Sequence, residues 1–179
     1  MIGEGRAGGT DPAGSRTARE AFDKALELLA PRPHFVFELA FKLRRRGYAD
    51  EAVDECLARL TELGYLDDLK TGRSFCRQRV ARSDWGPRRL RAELGKRGVG
   101  AELATTLVDE SFPDGERPAA RAAAARWSRT RGRGDAERQR ERLARYLDRR
   151  GFSKGTIVEM LSELATDREQ RLEIGHEQF

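Results

Sequence analysis

Hydrophobic positions recur along the chain in a phrase, Leu-x-x-x-Leu-x-x-x-Gly, that occurs three times. The phrase ends at Gly47, Gly98 and Gly151, so its copies are 51 and 53 residues apart. Leucines four residues apart lie on one face of a helix, and a glycine just past a helix end favours a left-handed turn. Apolar residues also follow each glycine at the first, sixth and tenth positions, which predicts a second helix after the turn. The aligned residues are Leu39, Leu43, Tyr48, Val53 and Leu57; Leu90, Leu94, Val99, Ala104 and Val108; and Leu143, Leu147, Phe152, Ile157 and Leu161.

Another helical segment precedes each copy of the phrase, so every unit is predicted to contain three helices. Asp50 is the expected N-cap of the third helix in the first unit, because its carboxylate can accept a hydrogen bond from the helix start. A basic loop, Arg129–Gly134, is expected between the first two helices of the third unit. The predicted helices span about residues 18–29, 36–46, 50–63, 71–82, 84–98, 100–111, 119–125, 136–150 and 153–166.

The pattern predicts an all-α protein, an elongated array of three tandem three-helix repeats. No segment alternates with period two for long enough to form a strand. Each repeat holds too few apolar side chains to be stable alone, and stacking of neighbours is expected to bury the rest. The predicted boundaries are a disordered leader over 1–17, repeats over 18–66, 67–113 and 118–166, and a polar tail over 167–179.

The middle copy, Asp84–Gly98, combines a well-defined helix start with a cationic outer face. Pro87 suits the first helical turn because its φ is already helical and its missing N–H is not needed there. Arg88, Arg89 and Lys96 fall opposite the two leucines, with Arg91 at their flank. These four residues are the favoured partner-binding candidates, and the third repeat adds Arg138, Arg142 and Arg145 as weaker candidates. Trp85 and Trp127 could stack on a base, although a structural role is favoured for both.

The charges change this picture because they are sorted along the chain. The chain carries 35 Lys and Arg against 30 Asp and Glu, a net charge of +5. Residues 73–97 hold nine basic and two acidic residues, and residues 117–150 hold twelve arginines and four acids. Residues 50–68, by contrast, hold seven acids and one arginine. Such sorting favours an extended basic surface and an anionic partner over an evenly solvated surface.

Catalytic chemistry is not predicted. The two histidines, His34 and His176, and the two cysteines, Cys56 and Cys76, do not have the spacing of a metal site. No Walker A loop is present, and Asp67-Asp68 is more typical of a helix start than of a metal site. We therefore expect no enzyme, no cofactor and no bound metal. No apolar run is long enough for a membrane span, and the cysteine content favours a reducing cytoplasm.

Four motifs follow one another along the chain: Arg32-x-His34 with Glu38-Leu39, then Leu66-Asp67-Asp68, the basic segment 77–82, and the run from Trp85 through Leu94 to Gly98-Val99. In this order, these motifs closely resemble the RecX family of bacterial recombination regulators. The resemblance covers about residues 18–164. Phe35 stands where the family usually has Ser or Thr, which removes a helix cap. The basic loop after Arg129 also looks longer than in the family.

The resemblance implies three tandem three-helix repeats in a curved rod that binds and does not catalyse. RecX-like proteins bind the RecA recombinase filament on single-stranded DNA, inhibit its ATP turnover and strand exchange, and so modulate homologous recombination, DNA repair and the SOS response. Capping of filament ends, blocking of the groove and disassembly are all compatible with it. A monomer is expected. The alternatives are a general helical nucleic-acid-binding protein without a recombinase partner, and a structural or adaptor repeat protein whose arginines are only solvated.

Overall fold

The structure, a computed structural model, describes residues 17–131 and 135–176. Within these ranges the backbone forms nine α-helices and no strand, which confirms the all-α prediction. Apart from Thr17, the predicted leader lies outside the described residues, as do residues 132–134 of the basic loop and 177–179 of the tail. The helices are α1 (Ala18–Leu29), α2 (Val36–Arg44), α3 (Asp50–Glu62), α4 (Asp68–Ser83), α5 (Pro87–Gly95), α6 (Ala101–Ser111), α7 (Arg117–Arg131), α8 (Ala136–Arg150) and α9 (Lys154–His176).

The chain divides into two compact units, Met1–Asp67 and Asp68–Phe179. The first unit contains α1–α3, which are the helices of the first repeat. The second unit contains α4–α9, so that the second and third repeats share one compact body. Three-helix sets are therefore present as predicted, but the second and third are joined into one unit.

The first unit is built on close packing of α1 against α3. Ala21 and Ala25 on α1 are fully buried, and their small side chains let the two helices approach closely. Thr17 and Glu20 form a capping box that satisfies the first N–H groups of α1. The burial of Leu39 and Leu43 on α2 closes this core, and each contributes roughly 1.5–3 kcal/mol to folding.

The first unit tests two predictions about the residues at which helices begin. Asp50 is the first residue of α3 and its N-cap is Ala49, so the predicted N-cap was wrong by one residue. Asp50 still lies in the first turn, where a carboxylate interacts favourably with the helix dipole. Phe35 occupies the N-cap of α2 without a side-chain capping bond, yet the helix begins at Val36 as predicted. Phe35 is 3% exposed. Burial of an apolar side chain therefore accompanies the start of α2, in place of a capping hydrogen bond.

The three glycine turns share one backbone conformation. Gly47, Gly98 and Gly151 have φ values of 82°, 76° and 88°, which only glycine adopts readily. In each turn the N–H of the residue after the glycine donates to the carbonyl of the second leucine of the phrase, at 3.1–3.4 Å. The glycine N–H in turn donates to the carbonyl three residues earlier, at 2.9–3.0 Å. The repeat deduced from side-chain spacing is therefore also a repeat of backbone hydrogen bonds.

Backbone contacts join the second and third repeats inside the second unit. The Gly86 N–H donates to the Arg150 carbonyl at 2.7 Å, and the Arg88 N–H donates to the Gly151 carbonyl at 3.1 Å. A Cβ on Gly86 would lie 2.8 Å from the Gly151 carbonyl carbon, closer than side chains normally approach backbone. We call this contact between the start of α5 and the Gly151 turn the repeat joint.

Asp84 connects the repeat joint to α7 and α8. It adopts φ 53° in the turn between α4 and α5. Its Oδ1 accepts from Arg126 Nε at 2.7 Å, and its Oδ2 accepts from the Tyr146 hydroxyl at 2.6 Å. Burial alone would raise the pKa of Asp84, but the hydrogen bonds from Arg126 and Tyr146 outweigh it and lower the pKa below its usual value.

Two helices run past their predicted ends. Helix α7 continues to Arg131, so residues 129–131 of the predicted basic loop are helical. Helix α9 continues to His176, although its predicted end was near Thr166. In the first two repeats, Gly64 and Gly115 have φ of 74° and follow the third helix. Each lies 17 residues after the glycine of its phrase, where the third repeat has Arg168 and no such stop.

We expect Gly86→Ala to destabilise the second unit by about 1–3 kcal/mol, because the added methyl overlaps backbone that cannot move independently of the joint. Tryptophan fluorescence during urea unfolding measures this, since the chain has two tryptophans and both belong to the second unit. Gly95→Ala is the matched control: Gly95 is the last residue of α5, whose N-cap is Gly86, and its Cβ would meet no atom within 4 Å. That control should be neutral or stabilise by up to about 1 kcal/mol. Equal urea unfolding midpoints for the wild type and Gly86→Ala would contradict the steric requirement for glycine at the repeat joint.

We expect Asp84→Asn to destabilise the second unit by about 1–3 kcal/mol at neutral pH, because Arg126 loses its partner while asparagine tolerates the positive φ. The folded-state pKa of Asp84 is lowered, so its contribution is complete above the ordinary carboxyl value and falls as the pH drops through and below about 4. The difference between wild type and variant should therefore shrink in acid. Asp148→Asn, which loses only an exposed pair with Arg88, should cost under about 1 kcal/mol.

Candidate partner-binding surface

Two of the four candidates in the second repeat are engaged at the repeat joint. Arg88 donates to Asp148 Oδ1 at 2.7 Å, across 60 residues of sequence. Arg89 donates to the Arg149 carbonyl at 2.9 Å, and its guanidinium lies 4.7 Å from the centroid of the Trp85 ring. Both side chains therefore already contact the third repeat, although Arg88 remains 49% exposed. Their position opposite the leucines places them against the third repeat.

Arg91 and Lys96 present their charges outward. Arg91 is exposed and forms no ion pair with another described residue. The Lys96 ammonium pairs with Glu93 Oε1 at 2.9 Å, but its side chain remains 69% exposed. Arg97 also contacts Glu93, and the two cations lower the pKa of that carboxyl. An exposed pair of this kind contributes little stability, so Lys96 can exchange Glu93 for an anionic partner at small cost.

The three candidates of the third repeat share one face of α8. Residues at positions 138, 142 and 145 follow the i, i+4, i+7 spacing of a helix stripe, and all three are exposed. Arg149 extends the stripe by one further turn and is also exposed. The opposite face of α8 buries Leu143 and Leu147. We call Arg138, Arg142, Arg145 and Arg149 the α8 stripe.

A shallow cleft of about 360 Å³ runs beside the α8 stripe. It is lined by Arg142, Arg145, Arg149 and Trp127. Within the described ranges, these arginines form one ion pair, a 3.5 Å contact between the exposed side chains of Arg145 and Glu141. Three guanidiniums at one cleft create a positive potential suited to phosphate or carboxylate groups. Sequence reasoning missed Arg149, although its spacing from Arg145 was available.

The tryptophans have structural roles. Trp85 is 8% exposed and packs edge-on against Phe75, with 6.1 Å between ring centroids. The guanidiniums of Arg79 and Arg89 lie 5.0 and 4.7 Å from its ring centroid. Trp127 is 7% exposed and belongs to the core of the third repeat. Neither ring has a face open enough to stack on a base without rearrangement.

Among the side chains that the structure describes, Cys56, Cys76 and His34 are buried. Burial raises the pKa of the Cys56 thiol to about 11 and also raises that of Cys76, so both are held as unreactive thiols. His34 is buried, its Nδ1 lies 3.0 Å from the Arg32 carbonyl, and burial lowers its pKa. Among the described residues, no three His, Cys, Asp or Glu side chains are grouped closely enough to hold a metal ion. None of the described helices is both long and apolar enough to cross a membrane.

The chain is similar to known proteins in both sequence and fold. The family models for the first and second three-helix domains of RecX match residues 21–60 and 67–107. The Regulatory protein RecX of Prosthecochloris aestuarii is 35% identical over 149 residues, 83% of this chain and 96% of its own. That of Ectopseudomonas mendocina is 39% identical over 140 residues, covering 76% and 89%. That of Mycobacterium leprae is 35% identical over 166 residues, covering 89% and 95%.

The crystal structure of RecX from Lactobacillus salivarius superposes with a TM-score of 0.72 at 19% identity, covering 83% of this chain and 97% of that one. A second crystal structure, of regulatory protein RecX, gives a TM-score of 0.68 at 21% identity. At these identities the structures establish the fold alone. The sequence matches extend over most of the chain and over nearly the whole of the relatives, and on that basis the chain belongs to the RecX family of regulatory proteins.

Proposed function

We propose that the chain is a non-enzymatic regulator that binds the RecA recombinase filament on single-stranded DNA and lowers its ATP turnover and strand exchange. Membership of the RecX family of regulatory proteins is the observation that carries this proposal. The protein would act in the cytoplasm as a monomer and modulate homologous recombination, DNA repair and the SOS response. It needs no cofactor, because inhibition by binding requires no chemical step.

The charge distribution supports an anionic target. A RecA filament offers DNA phosphates and acidic protein surface, to which exposed guanidiniums bind through paired hydrogen bonds. Arg91, Lys96 and the α8 stripe are the exposed cations of the second unit that we favour as contacts. Arg88 and Arg89 remain candidates in a second role, because they hold the repeat joint on which the placement of those cations depends.

A dose series against RecA from the same organism tests the function itself. ATP turnover and filament length should be measured in the same samples as the protein is added. We expect both to fall progressively, and strand exchange to fall with them. Unchanged ATP turnover and strand exchange at equimolar or higher dose would falsify the proposal.

A pair of double variants tests the α8 stripe. We expect Arg142→Ala with Arg145→Ala to weaken filament binding by about a hundredfold or more, since each of the two lost charge-assisted contacts is worth about 1.5–3 kcal/mol. The dependence of log affinity on log salt should become less steep by one to two units, at about 0.7 per lost contact with single-stranded DNA. Binding is measured by fluorescence anisotropy at several salt concentrations, and circular dichroism checks that helicity is retained.

The control removes the same charge elsewhere in the second unit. Arg129→Ala with Arg140→Ala changes one exposed residue on α7 and one on α8 that lies off the stripe. This double variant should bind within about twofold of wild type if the contact is local and not a response to net charge. Equal losses in the two double variants would move the interface away from the stripe. Binding to bare single-stranded DNA as tight as binding to the filament would favour the general nucleic-acid-binding alternative.

A further inference from the structure

A second cationic cluster lies beside the repeat joint, at the end of the α8 stripe, with which it shares Arg149. It surrounds a cleft of about 480 Å³ in the second unit. Four guanidiniums line this cleft, those of Arg89, Arg126, Arg149 and Arg150, together with a single carboxylate, that of Asp84. Like charges gathered in a partly enclosed space repel one another unless an anion compensates them. The cleft therefore has an excess of positive charge that the described residues do not balance.

The existing contacts show how much of this charge is already neutralised. Arg126 is paired with Asp84, and the two cancel. Arg89 donates to a neutral backbone carbonyl, and the Arg150 guanidinium lies over the Tyr146 ring at 4.9 Å from its centroid. Arg149 forms no ion pair with any residue that the structure describes. Three full positive charges thus remain, on Arg89, Arg149 and Arg150.

The walls of the cleft favour a compact ligand. Trp127 and Tyr146 form an aromatic side, with ring centroids 6.5 Å apart. The Thr130 hydroxyl is engaged with backbone carbonyls of its own helix, so the arginines supply the hydrogen-bond donors for an anion. Small-ligand sites typically have volumes of about 300–1,000 Å³, and guanidinium groups match the oxygens of phosphate in paired hydrogen bonds.

We propose that this cleft binds a compact polyphosphate, either inorganic or carried by a nucleotide, through Arg89, Arg149 and Arg150. The ligand would contact α5 and α8 at once, with α7 supplying the Trp127 wall. Occupancy would therefore stabilise the repeat joint, because a ligand that binds only the folded state stabilises it by mass action. The site does not depend on a RecA partner, and binding is measured on the protein alone.

Titration of the full chain with inorganic triphosphate tests this site. Potassium chloride should hold the ionic strength constant. Binding is reported by the combined fluorescence of Trp127, which lines the cleft, and Trp85, which contacts Arg89. We expect a saturable signal with one ligand per chain and an increase in the thermal unfolding midpoint of the second unit. Arg149→Gln should weaken the affinity about tenfold, the loss of one charge-assisted contact. The Arg149 carbonyl that accepts from Arg89 is retained in this variant.

Arg140→Gln is the matched control, because it removes one arginine from the same helix without touching the cleft. Its affinity for triphosphate should stay within about twofold of wild type. An unsaturable signal, or equal losses in the two variants, would overturn the site. Parallel titrations with triphosphate and with ATP separate the two sources of phosphate, since the tighter ligand identifies the source. An oligothymidylate arm tests whether a nucleic-acid strand occupies the cleft instead. Competition between oligothymidylate and triphosphate supports the site. Binding of oligothymidylate without any binding of triphosphate overturns it. Loss of RecA inhibition is a separate measurement and does not bear on this result.

Discussion

The second unit depends on a close approach between two stretches of backbone at the repeat joint. Gly86 and Gly151 meet there, and the Gly86 N–H donates to the Arg150 carbonyl at 2.7 Å. Such contact is possible only without a side chain on Gly86, since a Cβ would overlap the Gly151 carbonyl. The approach brings Arg88 to Asp148, and it brings Arg89 to the end of α8. The relation between the second and third repeats therefore follows from a steric requirement, and charge pairs add to it.

The spacing of leucines and glycines was sufficient to predict most of the fold. Helices α1 and α8 have the predicted ends, and the three phrase glycines have the positive φ that their place after a helix implies. The errors arose where a helix end is decided by one residue. Asp50 fell inside α3 because Ala49 already has the extended conformation of an N-cap. The predicted end of α9 was too early, because position 168 holds arginine where the first two repeats have the helix-ending Gly64 and Gly115.

The candidate surface was predicted less completely, for a physical reason. Helical periodicity places a side chain on a face, and Arg142 and Arg145 share an exposed face of α8 as their spacing implies. Periodicity does not give the partner across an interface. The Asp148 partner of Arg88 lies 60 residues away, and the Arg126 partner of Asp84 lies 42 residues away. Each pair depends on how α5, α7 and α8 pack, which one helix pattern cannot specify.

The shared glycine turn leaves each repeat free to specialise. It requires a glycine with positive φ, a carbonyl on the preceding leucine, and an apolar residue to follow. Every outward side chain can differ without altering these hydrogen bonds. The first repeat accordingly exposes Phe37 and Phe41, the second uses its outward arginines against its neighbour, and the third carries a row of guanidiniums. One turn thus supports three surfaces of different chemistry, so a substitution on one repeat's outer face can tune a single contact without disturbing the scaffold of the others.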